Sequence, residues 1–328
     1  MIDTHYDLLS IAYVAYLKND YSYLEKISKY FHENNVVGVI ANLYFMSKEE
    51  MIEELHQDYF QDDVSVLEMF TKAKEVLDTY FPDTDILYSI EGADYIKDCD
   101  ELQKLHDAGL DCLVITWNTK SRYASGNRSN QGLTEDGKDL LKEAIDLGIG
   151  IDLSHANEES FSDMIGIIRQ EKTKGKDVCC YASHSNSRQL CDVKRNLEDY
   201  QLKMIKEVDG QVGLLANRNF VVNKEEKLSV SQRDKEYRFL DHIKHVASIV
   251  GEDNVMIATD DMNFCKDADS EYGEVAIFNY ENVASSVAKM LSQEYDYYKI
   301  NMIMHDTAQN KIFNRIKNKR RGVKNDRY

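Results

Sequence analysis

Ile149-Gly150-Ile151-Asp152-Leu153-Ser154-His155 is a short apolar run that stops on a metal-ligand side chain. A run this short and continuous suits a strand buried on both faces, and such strands belong to parallel sheets. The same grammar recurs at residues 1–5, 36–43, 86–90, 112–116, 178–182, 212–215 and 255–258, which makes eight strands. Segments of helical period lie between them. Val66, Met69, Phe70, Ala73, Val76, Leu77 and Tyr80 keep one face of a helix that Pro82, the only proline, closes. Further helices are expected over 134–148, from a cap at Asn196 to Gly210, and over 237–250. Eight parallel strands with intervening helices close into a (β/α)8 barrel. The rival, an open doubly wound sheet that binds a nucleotide, would need a glycine-rich turn after an early strand, and none is present.

The chain has no internal repeat and no linker rich in Pro, Gly or Ser, so one barrel over residues 1–316 is expected, followed by a basic tail at 317–328 that frays in solvent. Long polar connections at 118–132, 223–236 and 261–280 follow strand ends, which puts them on the catalytic face. Of the 328 residues, 43% are hydrophobic, enough for a sizeable core. The 58 acidic residues outnumber 40 Lys and Arg, and a formal charge of -18 repels nucleic acid and anionic membranes. Met1 and Ile2 lead directly into Asp3-Thr4-His5, and no apolar run approaches membrane-spanning length, so a cytoplasmic protein is expected. The six cysteines show no CxxC pair, and Cys179 and Cys180 are expected to pack in a strand as small apolar residues.

Five ligand-type residues fall at strand ends. His5 and Asp7 are two apart on an extended chain and face the same side, where they can grip one cation. Glu91, ahead of Gly92, has two carboxylate oxygens and can bridge two metals. His155 and His184, after strands five and six, would hold the second. Nitrogen and oxygen ligands without thiolate suit zinc and leave manganese, cobalt and iron open. Two such ions would acidify a bridging water and polarise a carbonyl, which is hydrolytic chemistry. His32, His56, His106, His242, His245 and His305 do not fall at these strand ends, and His242 and His245 are expected on the stabilising side of the barrel.

Asp3-Thr4-His5-Tyr6-Asp7, Glu91-Gly92, Gly132-Leu133-Thr134 through Gly137, Asp152-Leu153-Ser154-His155, Ser183-His184-Ser185 and Lys194-Arg195-Asn196-Leu197 resemble, in order, the membrane dipeptidase (renal dipeptidase) family. These are binuclear zinc peptidases on a TIM-type barrel within the amidohydrolase superfamily. The resemblance implies two zinc ions, with His5 and Asp7 on one, His155 and His184 on the other, and Glu91 between them. It also implies that Arg195 binds the C-terminal carboxylate of the substrate, that Asp260 shuttles a proton, with Asp261 as its neighbour, and that the chain forms a homodimer.

This chain departs from the family at the substrate side. Ile115-Thr116-Trp117-Asn118 puts the only tryptophan where secreted members carry a histidine, so Trp117 becomes an expected apolar wall. Strand eight ends Asp260-Asp261-Met262-Asn263 in place of Asp-Phe-Asp-Gly, and Leu215-Ala216-Asn217 replaces Asn-Phe-Tyr after strand seven. Asn217 and Arg218 are therefore candidate substrate contacts, Arg218 as a second cation for anionic substrates. The leading expectation is a metal-dependent dipeptidase for L,L and L,D dipeptides, with a metal-bridging hydroxide as nucleophile. The alternatives are another amidohydrolase acting on N-acyl amino acids, lactones or modified peptides, and a barrel that binds without catalysis.

Overall fold

The computed structural model describes residues 1–44, 64–223, 230–260 and 276–325, with side chains through Arg321. Eight strands form one parallel sheet in sequence order: β1 Ile2–Tyr6, β2 Gly38–Tyr44, β3 Asp85–Glu91, β4 Cys112–Val114, β5 Gly150–Asp152, β6 Cys180–Ala182, β7 Gln211–Leu215 and β8 Val255–Ala258. The helices along the outside include α1 Leu8–Lys18, α2 Ser22–Glu33, α3 Val66–Tyr80, α4 Cys99–Ala108, α5 Glu135–Asp146, α6 Glu158–Thr173, α7 Asp199–Glu207, the single turn α8 Arg218–Val221, and α9 Gln232–Val250. The chain ends in α10 Val283–Leu291, α11 Tyr297–Asn301 and α12 Asn314–Asn325. This is the (β/α)8 barrel. The middle strands β4, β5 and β6 are shorter than their apolar runs, with three residues each.

Helix starts follow the side chains available to cap them. Ser65 accepts from Glu68 N, Thr134 from Gly137 N, Asn157 from Ser160 N and Ser231 from Asp234 N. Two expectations need correction. Asn196 does not cap α7; Glu198 and Gln201 form that capping box, while Asn196 Nδ2 donates to Cys191 O and Phe220 O. Helix α9 begins at Gln232, earlier than Tyr237, because Ser231 supplies the cap.

Strands β1 and β8 close the barrel differently from the rest. Among the described residues no ladder joins them; the buried Asp3 carboxylate instead accepts from Thr259 N (3.0 Å), Thr259 Oγ1 (2.5 Å) and Tyr280 Oη (3.0 Å). Thr4 Oγ1 lies 3.1 Å from Ile257 O, and Asp260 N donates to His5 O at 3.0 Å.

The end of the barrel where the strands begin is plugged. Ala308, Ile312, Phe313 and Ile316 pack against Ile2, Ile40, Leu87, Cys112, Cys179, Tyr181 and Met256. Gly150 lets the plug come close, since a Cβ there would lie 2.7 Å from Ile316 Cδ1 and push that side chain aside. Of the basic segment expected to fray, residues 317–325 are helical; residues 326–328 lie outside the described residues. Its cations meet aspartates at the strand starts: Lys317 pairs with Asp85, Arg320 with Asp111 (3.1 Å), Lys319 with Asp177 (3.3 Å), and upstream Lys311 pairs with Asp253 (3.0 Å). Cys179 and Cys180 are buried free thiols.

Candidate active site

The opposite end of the barrel gathers the ligand-type residues. In β1 the register shifts between Asp3 and Tyr6, a bulge that turns both Thr4 and His5 inward. Asp7 occupies the N-cap position of α1 but makes no side-chain cap bond. Its carboxylate is left for the site, where Oδ1 lies 3.8 Å from His5 Nε2. Glu91, the last residue of β3, straddles the cluster. Its Oε2 is 3.2 Å from His5 Nε2, and its Oε1 is 2.9 Å from His155 Nε2 and 3.6 Å from His184 Nε2. The two histidines point Nε2 at each other, 2.9 Å apart. Asp260 Oδ1 is 3.9 Å from His5 Nε2; Asp261 lies outside the described residues.

Two of these residues have left-handed backbones, His155 at φ 66° and Asp260 at φ 46°. The other non-glycine residues of this kind among those described, Asn19, Asn35 and Asp209, are Asn or Asp, which tolerate it. For His155 the conformation costs about 1 kcal/mol or more, a strain typical of functional sites.

Burial works against charge on His5, but Glu91, Asp260 and Asp7 outweigh it and push its pKa up to about 10. Burial, reinforced by Glu91 and Asp260, holds Asp7 well above the usual carboxylate range. Burial opposes charge on Glu91 too, yet His5 and His155 keep it well below that range. His155 falls to about 4 through burial and then Arg195, and His184 is depressed by burial and by His5. A buried crowd of carboxylates and imidazoles that shift one another in this way is a setting a divalent cation would stabilise.

The residues fit metal. His5 Nε2, Asp7 Oδ1 and Glu91 Oε1 are buried without an aligned hydrogen bond. Donor atoms of His5, Asp7 and Glu91 lie within 4.8 Å of one another, as do those of Glu91, His155 and His184. All are nitrogen or oxygen, the set that borderline divalent ions take. His5, Asp152 and His184 form a third such group, with the Asp152 carboxylate accepting from Ser154 N and Ser183 N.

Arg195 is buried beside this cluster. Its Nη1 donates to Ser185 Oγ (2.8 Å) and its Nη2 to His184 O (2.9 Å), both neutral acceptors. Among the described residues it has no carboxylate partner, and burial draws its pKa down to about 10 against the pull of Glu91, Asp260 and Asp152. A cavity of about 160 Å³ runs past His155, Ser185 and Arg195. Trp117 stands over the site, its ring 6.1 Å from that of His155 and edge-on to Tyr44. Asn217 is spent locally, capping α8 through Asn219 N, and Arg218 makes no ion pair among the described residues.

Sequence reading passed over three supporting residues. Asn118 Oδ1 lies 2.9 Å from His155 Nδ1, Ser183 Oγ touches two imidazoles, and Asn42 Nδ2 lies 3.1 Å from His5 Nδ1. Ser183 adjoins a ligand motif, whereas Asn42 in β2 and Asn118 after β4 stand apart from any, so sequence held no signal for them. His242, expected on the stabilising side, accepts from Ser187 N at 3.1 Å and so buttresses the loop after β6.

The model of the membrane dipeptidase family (peptidase family M19) matches residues 47–306, more than half of the chain. The chain belongs to this family. Membrane dipeptidases are metal-dependent hydrolases, and Glu91, His155, His184, Arg195 and Asp260 fall inside the matched range, whereas His5 and Asp7 precede it. An uncharacterised protein of Acinetobacter calcoaceticus is 36% identical over 138 residues, 39% of this chain and 41% of its own length. An uncharacterised dipeptidase of Schizosaccharomyces pombe is 26% identical over 154 residues, 46% of this chain and 34% of its own length. The chain thus spans less than two thirds of these relatives. A metallopeptidase from Rhodobacter sphaeroides, solved with a phosphinate mimic of the dipeptide L-Ala-D-Ala, shares the fold with TM-score 0.71 at 20% identity, over 96% of this chain and 98% of its own. For all the family's name, no described helix of this member is long and apolar enough to cross a membrane.

Proposed function

We propose that this chain is a dipeptidase that uses two zinc ions to hydrolyse L,L and L,D dipeptides with a free C-terminal carboxylate. The observation that carries the reading is Glu91, whose two oxygens face different ligand sets, His5 with Asp7 on one side and His155 with His184 on the other. Two divalent cations bound there would activate water and polarise the scissile carbonyl. The rest falls to the chain itself. Arg195 has a planar fork with N–H groups to spare and no anion of its own, which suits the substrate's terminal carboxylate and measures the distance from it to the cut bond. Asp260, on the rim and partly exposed, can take a proton from the nucleophile and pass it to the leaving amine. Trp117 excludes water on one side. The L-Ala-D-Ala mimic bound by the Rhodobacter sphaeroides enzyme supports the L,D half of the reading.

The test is metal analysis coupled to kinetics on L-Ala-L-Ala, L-Ala-D-Ala and their N-acetylated forms. Two zinc ions per chain and turnover of the free dipeptides are expected. Fewer than two metals with no turnover would refute the proposal, and a preference for the acetylated compounds would shift it to an N-acyl amino acid hydrolase. Arg195→Ala should lower kcat/KM about 10- to 100-fold, the cost of one charge-assisted pair, mainly through KM.

A further inference from the structure

Ser183 lies between the two histidine sets. Its Oγ is 3.1 Å from His5 Nδ1 and 2.6 Å from His184 Nδ1, and those two rings stack with centroids 3.5 Å apart. A third neighbour, Ser154 Oγ, is 3.4 Å away. The position of Ser183 is held from several sides. Its N–H donates to the Asp152 carboxylate at 3.0 Å, Thr4 Oγ1 donates to its carbonyl at 2.8 Å, and Gly213 lies so close that a Cβ there would collide with that carbonyl.

A histidine that turns Nε2 to a metal carries its proton on Nδ1 and must find an acceptor for it. His5 and His184 turn Nε2 toward Glu91, and both present Nδ1 to the same oxygen. A hydroxyl has two acceptor lone pairs and one proton. Ser183 can therefore accept from both rings and send its own proton to Ser154 Oγ, which satisfies all three groups. We propose that Ser183 is a shared positioning residue, one hydroxyl that fixes the tautomer and ring orientation of a ligand in each of the two metal sites.

Asn42 serves as the contrast. Of the two imidazoles it neighbours only that of His5, its Nδ2 also reaches Ile40 O at 3.3 Å, and its Oδ1 is buried without a hydrogen-bond partner. Turning the amide over brings Oδ1 to His5 Nδ1, the orientation a donating ring needs. Asn42 thus assists one site, whereas Ser183 assists both.

The inference rests on the two-metal reading, and the experiment separates the two failures. Metal-free wild type, Ser183→Ala and Asn42→Ala are titrated with zinc against a chromophoric chelator, giving two dissociation constants each, and the metal-free melting temperatures are compared. Loss of such a supporting group weakens binding about 10- to 100-fold. Ser183→Ala is expected to raise both constants by at least about tenfold with little change in metal-free melting temperature, and Asn42→Ala to raise one. Wild type that binds fewer than two zinc ions overturns the two-metal reading itself. Given two ions in wild type, Ser183→Ala with both constants unchanged, or with only one raised, overturns the shared role. A lower melting temperature with unchanged constants also overturns it, as a merely structural role. Should Ser183→Ala not fold, Asn42→Ala carries the test, and either both or neither of its constants rising counts against the assignment.

Discussion

At the scale of single residues, Asp3 does for β1 and β8 what a ladder does between the other strands. Its carboxylate receives bonds from Thr259 N, Thr259 Oγ1 and Tyr280 Oη, all buried, and His5 N lies 3.3 Å away. Removing it strands several donors at once, each at about 1–3 kcal/mol. Asp3→Ala is therefore expected to cost roughly 3–5 kcal/mol in urea unfolding, while Asp3→Asn, which keeps an acceptor for Thr259 N, costs less. A loss under about 1 kcal/mol for the alanine variant would show that the seam holds without it. Asp3 sits two residues before His5 in the chain, so the residue that closes the barrel and the first residue of the ligand-type cluster belong to one short segment. Sequence reading quoted Asp3 within its motif and assigned it no task, because a carboxylate that accepts from a distant strand leaves no local pattern.

At the scale of elements, α12 shows what composition conceals. Lys317, Lys319 and Arg320 read as a solvated tail because their partners, Asp85, Asp177 and Asp111, are scattered far along the chain. Each partner sits at or just before the start of a strand, so all of them come together at one end of the barrel. Asp111 also accepts from Tyr88 N, and Arg320 reaches the carbonyls of His106, Gly109 and Leu110. Burial raises the Asp111 pKa to about 6 in spite of Arg320 and Lys74. A raised carboxylate favours the folded state below its unfolded pKa, near 4, and that contribution is lost as pH climbs through about 6. The Arg320 pair exists only once Asp111 is ionised. Arg320→Ala should thus cost about 1–3 kcal/mol at pH 8 and much less at pH 4.5, as read by denaturant midpoints. A penalty equal at both pH values would assign the role of Arg320 to its carbonyl contacts.

At the scale of the whole molecule, the barrel separates chemistry from stability. Eight strands, their order and the strand-end placement of five ligand-type residues that gather at one end were legible in sequence, because apolar runs and strand-end residues are local signals. The supports of the ligands were not, since Ser183 beside His5, or Asn118 beside His155, is a contact between strands set only by closure. On the substrate side, Asn217 uses its side-chain oxygen in a cap, and much of the loop beyond β8 lies outside the described residues. The separation can be measured. Phe313, fully buried in the plug, lies at the end away from the ligands. Phe313→Ala should cost about 3–5 kcal/mol of unfolding free energy and leave both zinc dissociation constants of the folded protein unchanged. Altered constants would mean that the two ends communicate.

The seam between β1 and β8 has a consequence in time. The backbone bond that aligns His5 with Asp260, and the Thr259 groups that anchor Asp3, join residues more than 250 positions apart in the chain. Contacts of such long sequence separation pay their loop-closure entropy before they return anything, so they form late. Strand β1 can pair with β2 early, but its other edge, which sets His5 against Asp260, stays open until the barrel closes, so a late-forming seam is expected to complete the ligand-type cluster.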